Sequence, residues 1–169
     1  MRYLLVVTAI IWVTSQAIGQ TDSLNFEPFD SLTLPSVFLM GEYEEQYGLL
    51  YETYNEILLS VCNDDMDLAF NKWMYMLSEM EAYAESIDFD LLGVKIWLMV
   101  FWNENGQIDY LGYHLKPNSK QVDRPDMRAF LQSFINRFEM PLRARVKYTH
   151  NGSAQFPTAI IPPVGRKND

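Results

Sequence analysis

The chain has 169 residues, a formal net charge of −9, ten Tyr, ten Phe, four Trp and one cysteine. The negative balance argues against nucleic acid and anionic membrane surfaces as partners, because both attract basic patches. A lone Cys62 leaves no intramolecular disulfide, so a ring-rich hydrophobic core has to hold the fold.

Residues 1–19 read as an export signal. Arg2 supplies the charged start, an apolar stretch follows to Val13, and Ala17-Ile18-Gly19 offers a small-x-small cleavage site before Gln20. The apolar stretch is shorter than the roughly 20 residues a hydrocarbon core requires, so cleavage is expected rather than anchoring. No integral span is expected afterwards, and the product is placed in the periplasm or outside the cell. About 150 residues then remain, enough for one domain with a real core. Removing the signal takes away one arginine and no acid, which shifts the net charge from −9 to −10.

Residues 20–40, with Pro28 and Pro35 and no strong periodicity, are expected to form an extended N-terminal arm. The single domain is expected over 41–163, helical over 41–90 and mixed over 94–160, with a polar tail at 164–169. Residues 42–61 carry Tyr43, Tyr47, Leu50, Tyr54, Ile57, Leu58 and Val61 at helical spacing, and Gly48 permits a break into two helices. A longer helix follows, capped by Asn63 or Asp64, with Met66, Phe70, Trp73, Leu77, Met80, Ala84 and Ile87 forming one apolar stripe, whose large Phe70 and Trp73 suit packing on a sheet better than a coiled-coil seam.

After Gly93 the period changes to two. Residues 94–102 are apolar on both faces, as in the middle strand of a covered sheet. Asn105-Gly106 suits a two-residue hairpin turn, and 107–115 return as the antiparallel partner. Pro125 opens a second helix whose apolar face is Met127, Phe130, Leu131, Phe134, Ile135 and Phe138. Residues 143–150 alternate Ala144, Val146 and Tyr148 with Arg143, Arg145 and Lys147, which predicts a strand with one dry and one wet face; after Asn151-Gly152, residues 153–161 are expected to add an extended segment before Pro162-Pro163. The expected fold class is therefore α+β: a small antiparallel sheet with an N-terminal helical layer and one helix between its second and third strands.

Candidate chemistry is sparse. The two histidines, His114 and His150, and the single thiol show no metal-ligand spacing, and no phosphate loop, nucleophile elbow or dinucleotide fingerprint occurs, so no cofactor or metal is expected. Cys62 reads as a buried structural thiol, and the acids at 63–67 read as helix-capping residues. The better clue is aromatic and basic: Tyr47, Tyr51, Trp97 and Phe101, with Arg143, Arg145 and Lys147, form the candidate partner-binding set. The rings are a recognition patch if the second sheet face is open and simply core if helices cover it. Acids crowd 42–90 while 124–147 is locally basic, an asymmetry suited to an unlike partner or to solvated helix faces.

The order strand, Asn-Gly hairpin, strand, helix, strand over residues 94–148 resembles the C-terminal domain of TonB, the energy-transducing protein of Gram-negative envelopes. The resemblance covers about a third of the chain. It implies a small exported module that binds a protein partner, by strand addition among other routes. The chain departs from that family at Lys116-Pro117-Asn118-Ser119-Lys120 and Asp123-Arg124-Pro125, where the family has Ser-Ser-Gly and Leu-Asp, and it has no long Pro- and Lys-rich linker. Two Asp-Ser-Leu triplets, at 22–24 and 30–32, resemble O-glycosylation acceptors of exported Bacteroidetes-type proteins. The function expected is a non-catalytic binding or scaffolding protein of the bacterial envelope with a protein partner. An exported hydrolase of unfamiliar type and an inhibitor or immunity-like protein are the alternatives.

Overall fold

The computed structural model describes residues 34–158. The expected export segment, both Asp-Ser-Leu triplets, most of the expected N-terminal arm and the expected polar tail lie outside them. The elements in chain order are β1 (Val37–Leu39), α1 (Glu44–Thr53), β2 (Glu56–Ile57), α2 (Leu58–Val61), α3 (Met66–Ser86), β3 (Lys95–Trp102), β4 (Ile108–Leu115), α4 (Arg124–Ile135) and β5 (Tyr148–Gln155). They build the expected α+β fold around one five-stranded open sheet in the order β1-β4-β3-β5-β2.

The three long strands pair antiparallel with β3 in the middle. The sheet as a whole is mixed, however, because β1 adds parallel to β4 and the two-residue β2 adds parallel to the start of β5. Residues 37–39, expected in an extended arm, are thus a sheet edge. They were illegible as a strand because three residues carry no periodicity.

β3 is the central strand that its two-sided apolarity predicts. Ile96, Leu98, Val100 and Trp102 point to the face covered by α3 and α4, where they join the main core with Trp73, Met76, Leu77, Met80, Met127, Phe130, Leu131 and Phe134. Lys95, Trp97, Met99 and Phe101 point to the other face. There a second cluster of Leu34, Phe38, Leu50, Tyr54 and Phe101 forms beneath α1.

The hairpin differs from the expected two-residue turn. Asn103 N–H donates to the Gln107 carbonyl, so three residues form the loop, with Gly106 in the left-handed region at φ +84°. A side chain at Gly106 would meet the Met140 carbonyl oxygen at 2.4 Å. One register shift next to this turn makes Asp109 a bulge.

α1 runs unbroken through Gly48 and ends instead at Thr53, where Tyr54 turns its hydroxyl to Asp109. α3 is capped by Asp65, whose side chain accepts from Leu68 N–H at 2.9 Å, whereas Asn63 and Asp64 take positive φ in the turn before it. The predicted stripe holds for Trp73, Leu77, Met80 and Ala84 but not at its ends. Phe70 is rotated about 60° from Trp73 around the axis and is 60% exposed, Met66 in the first turn is 66% exposed, and Ile87 lies past the last turn. Ala69 and Met76 take the vacated inward positions.

The largest correction concerns the last strand. Residues 143–147, expected as a strand, form an irregular segment, and β5 begins at Tyr148 and runs straight through Asn151-Gly152. Gly152 is needed here because the Trp73 indole lies on it: a Cβ would stand 2.7 Å from Cζ2 and 2.9 Å from Cε2.

Candidate functional site

The expected partner-binding set divides into three groups. Phe101 is fully buried, held edge-on by Tyr51 and Tyr54 at centroid distances of 5.5 and 5.2 Å, so it belongs to the core beneath α1 and offers no surface. Tyr47 is half-buried and stacks on Phe38 at 5.4 Å. Tyr51 stays at the surface, where its hydroxyl accepts from Asn151 Nδ2 at 3.1 Å. Trp97, two residues from Phe101 on the same face, is 49% exposed. Among the described residues, α1 covers one end of β3 on this face and nothing covers the other.

The basic members are mostly engaged within the chain. Arg143 donates to the Asn105 carbonyl of the hairpin at 2.8 Å and pairs with Glu139, beyond α4, at 2.8 Å. Lys147 reaches Asp109 at 3.4 Å and lies 5.1 Å from the Tyr54 ring. Asp109 accepts as well from Tyr54 Oη at 2.7 Å and Asn103 Nδ2 at 3.1 Å, so the bulge ties α1, the hairpin and the 143–147 segment together. Burial first, and then this bond to Asp109, drive the Tyr54 phenol well above its usual range and keep it a proton donor. Arg145 is exposed and makes no ion pair among the described residues. Further along the basic stretch, Arg124 and Arg128 both face Glu42 at 3.7 and 3.3 Å. Much of the charge asymmetry read from the sequence is consumed between the chain's own segments.

Two features that the sequence did not single out lie beside Trp97. The first is the rest of the open half-face. Across the ladder, Trp97 stands between His114 of β4 and Ser153 of β5, and Lys95 stands beside Gln155. Lys116, just past β4, is tied to Lys95 by its N–H to the Lys95 carbonyl at 2.9 Å and sets its ammonium 4.4 Å from the Trp97 ring centroid.

The second feature is the outer edge of β5. β2 pairs only with Tyr148 and Thr149. Phe156 N–H donates to the Val94 carbonyl, so by the two-residue alternation of an antiparallel ladder the amides and carbonyls of Asn151, Ser153 and Gln155 point away from β3. α3 flanks this edge. Glu81 accepts from Thr158 just past β5, and the same helix flank carries Phe70, Met74 and Leu77 at steps of four and three. Residues 153–155 fall in the extended segment expected after Asn151-Gly152; what the turn character of Asn-Gly hid is that the strand runs through it.

The reactive groups are dispersed. Cys62 is buried, and its thiol is pushed up by desolvation. His150 packs its ring against Trp73 at 4.7 Å, where burial lowers its pKa, while His114 projects from the opposite sheet face. A surface groove of about 420 Å³ is lined by Glu81, Glu85, Asp88 and Asp90 with Leu91 and Leu92. Two of its acids are already engaged, Glu81 by Thr158 and Asp90 by Lys120 at 2.6 Å. Among the described residues no group of three or more His, Cys, Asp or Glu is placed to hold a metal ion, and no helix is long and apolar enough to cross a membrane.

Comparison with family models, with curated proteins and with solved structures finds no match.

Proposed function

We propose that this protein is an exported binding module of the bacterial envelope that captures an extended segment of a protein partner by strand addition along β5. The observation that carries the reading is the edge at Asn151, Ser153 and Gln155, unpaired among the described residues, whose outward backbone groups form a ready hydrogen-bonding template. The exposed Phe70 and the half-buried Met74 beside it form an apolar shelf for alternate side chains of an incoming strand. The likeness to the TonB C-terminal domain rests on the order β3, hairpin, β4, α4, β5. The export segment at 1–19 supplies the compartment.

Ser153→Pro is the test, because proline there removes an outward N–H and leaves the ladder to β3 intact. Partners cross-linked to the wild-type chain in envelope extracts should be lost from a Ser153→Pro variant that keeps its circular dichroism and melting temperature. Equal recovery by both chains would refute strand addition. A leader still attached to protein retained in the cytoplasm would refute the envelope assignment.

A further inference from the structure

The half of the second sheet face that α1 leaves open has a composition unlike the rest of the molecule. Its rows are His114 and Lys116 from β4 and its exit, Lys95 and Trp97 from β3, and Asn151, Ser153 and Gln155 from β5. None of these side chains is a carboxylate, although the chain carries a net charge of −9. Lys95 and Lys116 stand directly opposite each other across the ladder, a like-charged placement that weakens a sheet. Neither makes an ion pair among the described residues. Between the two lysines and His114 rises the half-exposed Trp97, the residue type that most often anchors an interface once fully desolvated.

We infer that this half-face docks an acidic segment of the protein partner, with Trp97 as the apolar anchor and Lys95 and Lys116 as the cation pair that selects carboxylates. A carboxylate lying between the two ammonium groups relieves their mutual repulsion, and the apolar side chain next to it covers the indole. The inference rests on the reading that a protein segment is bound, but it concerns side chains of the face rather than the backbone of the β5 edge. The two therefore fail separately.

The test uses the purified full chain and three short, blocked, fluorescein-labelled peptides in which valine alternates with glutamate, lysine or glutamine. Binding is read by anisotropy at low and at physiological salt. The glutamate peptide should bind about tenfold more tightly than the lysine peptide, with a preference that shrinks as salt screens it. The double variant Lys95→Glu/Lys116→Glu should abolish or invert that preference, and Trp97→Ala should weaken the glutamate peptide by about fivefold with the fold unchanged. Equal binding of the three peptides, no binding at millimolar concentration, or a preference that survives the double variant would overturn the inference. So would an acidic polysaccharide such as polygalacturonate binding through Trp97 where the glutamate peptide does not. Ser153→Pro separates the two readings: uniform weakening of all three peptides supports strand addition, and an intact glutamate preference without such weakening leaves the face standing alone.

Discussion

Replacing Gly152 with alanine sets two effects of opposite sign against each other. A glycine in a strand interior costs about 0.5–1 kcal/mol relative to alanine through backbone entropy, so alanine at an unobstructed position would stabilise by that amount. Here the added methyl would stand 2.7 Å from Trp73 Cζ2, 2.9 Å from Cε2 and 3.3 Å from His150 Nε2. Carbon atoms pack at about 3.5–4.0 Å, so the indole would have to retreat by about 1 Å. It is a rigid bicycle, 6% exposed and wedged between α3 and β5, with no flexible end to swing aside. Overpacking of this kind costs about 1–3 kcal/mol, which at mid-range leaves a net loss of about 1 kcal/mol. Urea unfolding of wild type and Gly152→Ala measures it directly. Repeating the substitution in a Trp73→Leu background should reverse its sign to a gain of about 0.5 kcal/mol, because the obstruction is gone and the entropic term remains. A neutral or stabilising Gly152→Ala in the wild-type background, or the same effect in both, would show that the indole does not lie on this glycine.

Gly106→Ala should cost about 2–3 kcal/mol or more in the same assay, since φ is +84° and the new methyl would face the Met140 carbonyl at 2.4 Å. Phe101→Ala should lose about 3–5 kcal/mol, whereas Trp97→Ala should change stability by about 0.5 kcal/mol or less; thermal melts of the pair check which ring is core and which is surface. Cys62 should not react with a thiol-specific chromogen in the folded chain and should react fully in denaturant, because it is buried and its thiol is held up by desolvation. His150 has its folded pKa lowered by burial, so the unfolded chain takes up that proton first. Its contribution is constant above the unfolded value of about 6.5, and stability falls as pH drops through that value toward the folded one. A His150→Gln variant should show a shallower decline there in pH-dependent urea titrations.

The parts of the fold that were legible in the sequence are those whose signal is local. β3 and β4 lie within one residue of their expected positions, and α4 opens at Arg124, beside the expected Pro125, but stops at Ile135, three residues before Phe138; alternation over eight residues and an apolar face over three turns need no distant partner to be recognised. Cys62 is likewise buried as its apolar surroundings indicate. The segment 143–147 shows where the same logic stops. Its alternation of basic and apolar residues is that of a strand, but Arg143 and Lys147 satisfy themselves on the hairpin and on Asp109, contacts formed across 38 residues of sequence.

What only the tertiary structure decided is pairing at the edges and cover on the faces. β1 and β2, of three and two residues, exist because β4 and β5 offer them backbone groups, and Asn151-Gly152 is straight because Trp73 occupies the space above it. Trp97 and Phe101 are equivalent in period, polarity and strand. One is surface and the other core solely because α1 crosses the sheet over Phe101 and stops short of Trp97. Period two assigns a side chain to a face, but whether that face is dry depends on a helix placed by contacts more than forty residues away, which no local pattern encodes.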